Sequence, residues 1–294
     1  MNPSLHAHEI PGLVTFADGP GGLTVMDIRT PAAEARIFLH GAQLTHWQPV
    51  SEKPVIFTSA ESFYQEGKAI RGGVPVCFPW FGPYEGQPAH GFVRNKTWAV
   101  ESVVQEGSDA VRATFITTSD ESTRARWPHD FEARLSYTIG AKLTMEFAVK
   151  NTGTAPFTYS EALHTYFVVG DARQAFVTGL EGAEYRDFPD RTKIARQVGT
   201  VYFAGEVDRV YVNTPATCLL VDPVMERRIV VDKSGSNSTT VWNPWVTKSA
   251  ALPDFGDDEW QRMVCIETVN AFENSVTLPA GTAHSTIACI WVEK

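Results

Sequence analysis

The chain is 294 residues long, 43% of them hydrophobic, and carries a formal net charge of −9. This much apolar material can build a large core, and we expect one domain over residues 1–294, because β sandwiches often reach this length. The acidic balance, without a cluster of lysines and arginines, argues against nucleic acid or an anionic membrane as a partner. We expect a soluble, cytoplasmic protein, since neither a signal peptide nor a membrane-length apolar segment is evident, and we expect it to be a monomer.

Runs that alternate between apolar and polar residues, or that are rich in β-branched residues, recur along most of the chain. Clear examples are residues 134–139, 142–149, 263–269 and 286–292. Turn signals rich in Gly, Asn and Asp separate many of these runs, and few segments show helical periodicity. This pattern is typical of an antiparallel sandwich or barrel rather than of alternating strands and helices. The sequence therefore predicts an all-β fold with only short helices.

The segment 71–98, RGGVPVCFPWFGPYEGQPAHGFVRNKTW, is dense in glycine, proline and aromatic residues. Gly and Pro fix unusual backbone angles, and long irregular connections inside a compact domain are uncommon unless they have a function. The guanidiniums of Arg71 and Arg94 can each donate paired hydrogen bonds to an anion. His90 could bond a hydroxyl group or merely brace the loop. We expect this segment to bind a small anionic ligand.

Two ionisable residues interrupt otherwise apolar runs farther along the chain. His164 lies in residues 158–169, TYSEALHTYFVV, a predicted strand, and Glu267 lies in residues 263–269, MVCIETV. A buried carboxylate is costly unless it is hydrogen-bonded or lines a solvated site. Imidazole is the side chain best suited to titrate near neutral pH. The two could form an acid–base pair, although a strand histidine is commonly structural and alternation could turn Glu267 to solvent.

Two further segments supply candidate sugar contacts. Residues 240–245, TVWNPW, place Trp242 beside Asn243. Aromatic rings stack on sugars and amides bond to hydroxyls, although core packing is the commoner role of Trp. Asp208, in residues 205–213, could accept hydrogen bonds from sugar hydroxyls or belong to a turn or a surface ion pair.

The sequence shows no sign of a metal centre or a cofactor site. The four cysteines lie far apart without a CxxC pair, and we interpret them as small buried hydrophobes: Cys77, Cys218, Cys265 and Cys289. No cluster with metal-ligand spacing and no phosphate-binding glycine loop is evident, so we expect neither metal nor organic cofactor. The acidic segment 252–260, LPDFGDDEW, is expected to be a solvated surface connection.

Six of these segments, in this order, resemble the hexose-6-phosphate mutarotases (glucose-6-phosphate 1-epimerases) of the aldose 1-epimerase superfamily. The resemblance extends over roughly residues 20–292 and is specific, because six ordered motifs are hard to obtain by chance. The motifs are RGGVPVCFPWFG from Arg71, HGFVRNKTW from His90, EALHTYF around His164, VDRVYVN around Asp208, VWNPW around Trp242 and CIET around Glu267.

The resemblance implies a large antiparallel β sandwich of the galactose mutarotase type that interconverts the α and β anomers of a hexose 6-phosphate, with glucose 6-phosphate the first candidate. Matching the motifs residue by residue puts His164 in the position of the catalytic acid and Glu267 in that of the base. Arg71 and Arg94 match phosphate-binding arginines, and Asp208 matches a substrate-contacting aspartate. Such chemistry needs no metal and no cofactor.

One position departs from the family pattern. Ala89, just before His90, stands where a polar side chain such as Gln or Ser is expected, so a substrate contact is missing there or is supplied elsewhere. Three alternatives stay open at this point. They are a mutarotase of unphosphorylated aldoses, a non-catalytic sugar-phosphate or carbohydrate-binding protein, and a glycosidase that pairs Glu267 with Asp208.

Overall fold

The computed structural model describes residues 3–188 and 190–293, and antiparallel strands dominate it. The described residues include two short α-helices, α1 (Glu121–Arg124) and α2 (Trp245–Ala250). Single 3₁₀ turns lie at Pro3–His8, Pro20–Gly22, Val93–Asn95, Glu259–Arg262 and Phe272–Asn274. The strands are β1 (Val14–Asp18), β2 (Thr24–Arg29), β3 (Ala33–Phe38), β4 (Gln43–Pro49), β5 (Val76–Cys77), β6 (Ala99–Glu106), β7 (Ala110–Thr118), β8 (Phe131–Ile139), β9 (Leu143–Asn151), β10 (Phe157–Tyr159), β11 (Glu161–Leu163), β12 (Tyr166–Val168), β13 (Phe176–Thr178), β14 (Glu184–Asp187), β15 (Ile194–Arg196), β16 (Val201–Tyr202), β17 (Val207–Val212), β18 (Cys218–Asp222), β19 (Arg227–Ser234), β20 (Ser238–Asn243), β21 (Met263–Asn270), β22 (Val276–Leu278) and β23 (Ala283–Glu293). The prediction of an all-β fold with short helices is confirmed.

Two large sheets make up most of the molecule. One has nine strands in the order β16-β13-β18-β19-β23-β9-β8-β7-β6. The other has eight, in the order β15-β14-β17-β20-β21-β11-β5, with β12 also paired to β21. Strands β1 to β4 form a smaller sheet, and β10 pairs with β22. Neighbouring strands run antiparallel, which is the pairing that turn-separated, alternating runs favour.

The main core draws side chains from both large sheets. In β9, buried and partly buried residues alternate, and Met145 and Phe147 lie in the core. Ile290 of β23 belongs to the same cluster, as does Tyr211 of β17 in the eight-stranded sheet. Because every second side chain of a strand lies on the same face, each sheet presents one apolar face to this core. Burying such surface stabilises the fold by about 25 cal/mol per Å².

Strand β21 is buried along its whole length because its two faces pack against different clusters. Ile266 belongs to the main core, whereas Cys265 packs with Tyr166 and Trp242 in a smaller cluster on the other face. Glu267 follows Cys265 by two residues and therefore lies on that outer face. The alternation that could have turned Glu267 to bulk solvent instead turns it toward this second cluster.

The segment around His164 is not one strand, as the sequence predicted, but three: β10, β11 and β12. His164 lies in the break between β11 and β12. Its backbone N–H donates to the carbonyl of Pro75 at 3.1 Å, and the N–H of Thr165 turns back to Leu163 at 2.9 Å. These local bonds replace the regular ladder, so His164 lies at an irregular point of the sheet, between the two strands that pair with β21.

Two smaller predictions can also be compared with the structure. Cys77, Cys218 and Cys265 are buried and Cys289 is partly buried, and all four are free thiols, in agreement with their interpretation as small hydrophobes. No helix in the described part of the chain is long and apolar enough to cross a membrane. The single domain over residues 1–294 stays a prediction.

Candidate active site

His164 and Glu267 meet on the outer face of the eight-stranded sheet. The His164 Nε2 atom is 3.4 Å from Oε1 of Glu267. Strand β21, which carries Glu267, pairs with both β11 and β12, and His164 lies between those two strands. His164 is 8% exposed and Glu267 is 1% exposed. The fold therefore brings a candidate acid and a candidate base together where little water reaches them.

Burial shifts the pKa values of this pair in opposite directions. The pKa of His164 falls to about 3, first because of burial and then because of the positive charges of Arg94 and Arg71. The pKa of Glu267 is raised well above its usual range, first by burial and then by the negative charge of Asp208. Both shifts disfavour the charged forms. At neutral pH the free protein therefore holds His164 neutral, and the shift at Glu267 favours the protonated form of its carboxyl group.

Aromatic rings fix the orientation of the His164 imidazole. The ring of Tyr166 is stacked on it, with centroids 4.8 Å apart and an interplanar angle of 12°. Trp242 meets it edge-on at 6.0 Å and 83°. Trp242 is buried and packs on Tyr166 as well, at 5.8 Å. In this arrangement Trp242 supports the imidazole, and a stacking contact between Trp242 and a sugar stays a prediction.

Arg71 enters the site from the irregular connection before β5. Its guanidinium pairs with Asp254 at 3.1 Å, and its Nη1 donates to the Tyr166 hydroxyl at 3.5 Å. Burial works against this charge, but Tyr166 and Asp254 outweigh burial and raise the pKa of Arg71. Gly72 follows at a φ of 99°, and a Cβ there would come within 2.6 Å of the Thr58 backbone. The glycine thus lets the connection lie directly against its neighbour.

Arg94 and His90 come from the other end of the same segment. Arg94 Nη2 donates to the carbonyl of Ala89 at 2.8 Å, while its Nε is buried without a partner among the described residues. Burial lowers the pKa of Arg94, but a guanidinium stays charged at working pH. The Nδ1 atom of His90 accepts from the N–H of Gly82 at 3.2 Å, so its Nε2 carries the proton of the neutral ring. The His90 ring also meets His164 edge-on, at 5.6 Å.

Asp208 lies in β17, directly opposite Trp242 of β20. Its side chain is 14% exposed, and both carboxylate oxygens have cationic partners. Arg191 Nη2 donates to Oδ1, and Lys248 Nζ lies 3.4 Å from Oδ2. Asp208 is opposite Trp242 of β20 and Glu267 is opposite Thr240 of the same strand, so both carboxyl groups lie on the outer face of the sheet, two strands apart, and the charge of Asp208 raises the pKa of Glu267. It therefore belongs to the same site as the acid–base pair and is not an isolated surface ion pair.

Asn243, which the sequence suggested as a sugar contact, lies behind the site. It is fully buried, and its Nδ2 donates to the carbonyls of Trp260 and Met263, both at 2.8 Å. Its Oδ1 accepts from the backbone N–H of Trp245 at 2.9 Å. The amide thus holds the end of β20 against the chain before β21. Because its hydrogen-bonding capacity is used inside the protein, we do not include Asn243 in the substrate site.

The one group of described side chains that could hold a metal ion includes the acid–base pair itself. Ligand atoms of His164, Cys265 and Glu267 lie within 4.8 Å of one another. Burial raises the pKa of the Cys265 thiol well above its usual value, and a protonated thiol is a poor metal ligand. The positive charges of Arg94 and Arg71 also act on His164 and disfavour a second cation beside it. The donor set therefore fits an acid–base pair better than a metal centre.

Several residues of the site were not singled out from the sequence. Tyr166 could have been found, because it follows His164 by two residues and shares its face. Asp254 lies in the acidic segment 252–260, which was expected to be a solvated surface connection. That expectation is wrong at Asp254, whose buried carboxylate pairs with Arg71. Arg191 and Lys248 reach Asp208 from distant parts of the chain, so no local pattern marks them.

Comparison with known proteins gives a consistent picture. The model of the family described as Aldose 1-epimerase matches residues 25–287. A protein of Escherichia coli strain K12, named "Putative glucose-6-phosphate 1-epimerase", is 36% identical over 264 residues, which cover 89% of this chain and 88% of the relative. A protein of Cenchrus ciliaris with the same name is 35% identical over 257 residues, 84% of this chain and 78% of the relative.

Solved structures agree with these matches. A crystal structure from Salmonella typhimurium, described as "a putative mutarotase", superimposes with a TM-score of 0.90 at 32% identity, covering 98% of this chain and 96% of that one. The structure of a galactose mutarotase related enzyme from Lactobacillus acidophilus has a TM-score of 0.73 at 15% identity, covering 92% and 97%. The second likeness concerns the fold, and it confirms the predicted sandwich of the galactose mutarotase type.

Proposed function

Because this chain belongs to the aldose 1-epimerase family, as its motifs predicted, we propose that it interconverts the α and β anomers of a hexose 6-phosphate. Glucose 6-phosphate is the first candidate, since relatives in a bacterium and a plant are named for that substrate. The observation that carries the proposal is the contact between His164 Nε2 and Glu267 Oε1, 3.4 Å apart, beside the partly buried Arg71 and Arg94.

Anomer exchange needs two proton transfers at one carbon. Glu267 removes the proton from the C1 hydroxyl while His164 protonates the ring oxygen, so the C1–O5 bond breaks and an aldehyde forms. Rotation about C1–C2 presents the other face of the aldehyde. The protons then return by the same two groups as the ring closes. The C1 hydroxyl oxygen and the ring oxygen are both bonded to C1, so an acid and a base in contact with each other can reach both. A positioned acid or base typically increases the rate by about 10²- to 10⁴-fold.

Arg71 and Arg94 are the phosphate-binding residues of this proposal. Their forks match phosphate oxygens, and a guanidinium bound to phosphate forms short, charge-assisted hydrogen bonds. In the free protein Arg71 is paired with Asp254 and Arg94 with the Ala89 carbonyl. The backbone carbonyl of Ala89 thus orients Arg94, although the alanine side chain offers no polar contact. Asp208 accepts from sugar hydroxyls on the far side of the pair, and His90 Nε2–H faces the same substrate.

The phosphate also affects the acid. In the free protein the pKa shifts favour a proton on Glu267 over a proton on His164, whereas the assigned roles need the proton on His164. The charges of Arg94 and Arg71 contribute to the low pKa of His164, and a bound phosphate cancels them. Of these two arginines, only Arg94 affects the pKa of Glu267, which it lowers. Phosphate therefore favours transfer of the proton from Glu267 to His164, and an unphosphorylated hexose lacks this effect.

A comparison of glucose 6-phosphate with glucose tests the substrate class. Anomer exchange of each sugar is followed by NMR, with the spontaneous rate subtracted. We expect kcat/KM to be higher for the phosphate ester by about 10³-fold or more, because glucose forms no charge-assisted hydrogen bonds with Arg71 and Arg94 and leaves the buried Nε of Arg94 without a partner. The Arg71→Met variant should reduce this ratio mainly through KM. Equal efficiency on glucose would instead indicate a mutarotase of free aldoses, and binding without exchange would indicate a sugar-phosphate-binding protein.

A further inference from the structure

Asp208 is held by two cations that come from separate elements. Arg191 lies between β14 and β15, and Lys248 lies in α2. Arg191 uses both arms of its guanidinium on the same residue, because Nη2 donates to the Asp208 carboxylate and Nη1 donates to its backbone carbonyl at 2.7 Å. Lys248 lies 3.4 Å from the second carboxylate oxygen and 2.9 Å from Glu206.

These contacts are better protected than an ordinary surface ion pair. The Asp208 side chain is 14% exposed and that of Arg191 is 25% exposed. Nη1 of Arg191 donates as well to the carbonyl of Arg186 at 3.0 Å, so the guanidinium is fixed to the hairpin that carries it. A charged hydrogen bond with both partners largely withdrawn from water is stronger than an exposed one, and the loss of one partner leaves the other uncompensated.

We infer that Arg191 and Lys248 are positioning residues, which hold the Asp208 carboxylate in the substrate site. They also partly neutralise its negative charge, so that Glu267 gives up its proton more readily and is a better base. The inference rests on the proposed function, since it concerns the base of that reaction. It adds two residues that lie outside the acid–base pair and outside the phosphate-binding arginines. Neither is expected to touch the reacting atoms.

The charges around Glu267 show how this works. Ionisable groups close to it are Cys265 of its own strand and, from neighbouring elements, His164, Cys77, Tyr166, Asp208, Arg191 and Arg94. Burial keeps the first four neutral at pH 7, since it lowers the pKa of the imidazole and raises those of the thiols and the phenol. After burial itself, Asp208 raises the pKa of Glu267, and Arg191 and Arg94 oppose that rise.

Removal of Arg191 should therefore weaken the base. With Asp208 still in place, its charge would be balanced less well, and the pKa of Glu267 should rise further. The protonated fraction of Glu267 would then be larger at any given pH near neutrality. Removal of the Asp208 charge in the same molecule should reverse the change, because the repulsion itself disappears.

The direct test is a carboxyl ¹³C NMR titration of protein labelled in glutamate, with the Glu267 resonance assigned by Glu267→Gln. We expect the midpoint of Glu267 to rise by about one pH unit in Arg191→Met, and in the same direction in Lys248→Met. The matched control is Arg196→Met. Arg196 lies in β15 of the same hairpin and donates to Glu184 at 2.8 Å without touching Asp208, so the midpoint should stay unchanged.

Two further variants separate charge from folding. Arg191→Lys keeps the charge but loses the fork, so the midpoint should stay near that of the wild type even if the hairpin loosens. In Arg191→Met with Asp208→Asn the midpoint should fall below that of Arg191→Met alone. An unchanged midpoint in Arg191→Met, or no reversal in the double variant, would overturn the inference. Because the titration needs no substrate, it gives an answer even for a protein that shows no anomer exchange.

Discussion

At the scale of single residues, the position of one proton decides whether the site is ready to react. In the free protein burial favours the proton on Glu267, whose Oε1 atom lies 3.4 Å from Nε2 of His164. Burial disfavours charge on both residues, and the arginines add to this at His164. Burial thus favours a neutral pair in the free protein, and the charges of Arg71 and Arg94 make the pKa of His164 depend on whether a phosphate is bound.

This arrangement predicts a pKa change that can be observed without turnover. A phosphate bound at Arg71 and Arg94 should raise the pKa of His164 from about 3 by about one unit or more, because it cancels the two charges that help to lower it. The measurement is a ¹⁵N NMR titration of the imidazole with and without saturating inorganic phosphate. A ³¹P signal confirms that the phosphate is bound.

The control for this titration is His284, whose pKa burial lowers without any arginine in contact. Its midpoint should be the same with and without phosphate. In Arg71→Met the phosphate effect on His164 should be smaller, since one of the two charges is already gone. Phosphate that binds without moving the His164 midpoint would contradict the electrostatic link.

The sequence singled out the candidate acid–base pair but not the residues that support it. His164 and Glu267 could be recognised because each is an ionisable group in an apolar run, which is rare unless the group has a partner. Asp254, Arg191 and Lys248 lie in polar segments where charge is ordinary. Their roles depend on which strands become neighbours, and a local pattern contains no such information. Asn243 shows the converse, because a residue suited to bind sugar is used to secure a strand end.

At the scale of elements, β11 separates two polar clusters with different roles. His164, just after β11, belongs to the outer face, whereas Glu161 at its start points toward the nine-stranded sheet. Glu161 is 1% exposed, and its Oε1 accepts from Asn270 at 3.0 Å and from Thr286 of β23. Oε2 is buried without a partner among the described residues. Burial raises the pKa of Glu161 to about 7.

Glu161 should make stability depend on pH. The pKa of Glu161 is about 7 in the folded protein and about 4.3 in the unfolded chain. The stabilisation that this difference gives the folded protein is therefore complete below about pH 4.3 and is lost as the pH rises through about 7. Between pH 5 and pH 8 the free energy of unfolding of the wild type, measured with urea, should fall by up to about 3 kcal/mol. That of Glu161→Gln should not show this fall. The ionisable groups nearest to it are His284, 4.0 Å away, and Tyr159, which bonds to His284.

The matched control for this series is Glu146→Gln. Glu146 lies in β9, is partly exposed and pairs with Arg112 at 2.9 Å, so its removal should leave the slope of stability against pH as in the wild type. Parallel curves for the wild type and Glu161→Gln would contradict the role given to Glu161.

The segment 71–98 shows why one long loop could be recognised in advance. Apart from β5 and one 3₁₀ turn it has no regular structure, and both of its ends reach the site, as expected from its glycines and arginines. Gly91 lies so close to Phe78 that a Cβ would come within 1.8 Å of that carbonyl. The sequence predicts such irregularity well, because glycine and proline impose it locally. It does not predict that Arg71 pairs with Asp254.

At the scale of the whole molecule, an acidic protein presents a local group of positive charges to an anionic substrate. The net charge is −9, yet Arg71, Arg94, Arg191 and Lys248 all lie around the acid–base pair. The eight-stranded sheet makes this possible, since β11, β21, β20 and β17 are consecutive neighbours and carry the site from one side to the other. The alternation of apolar and polar residues predicted the fold class, whereas the order of the strands in the sheet could be seen only in the structure.

Anomer exchange of glucose 6-phosphate, measured by NMR magnetisation transfer, tests the central claim most directly. Wild-type protein should accelerate exchange well above the spontaneous rate. Glu267→Gln should lower kcat by about 10²-fold or more, because it removes the base while keeping the shape of the side chain. Its thermal unfolding should stay close to that of the wild type, since Gln replaces a buried carboxyl group whose neutral form burial already favours. Equal acceleration by wild type and Glu267→Gln, or none by either, would contradict the account.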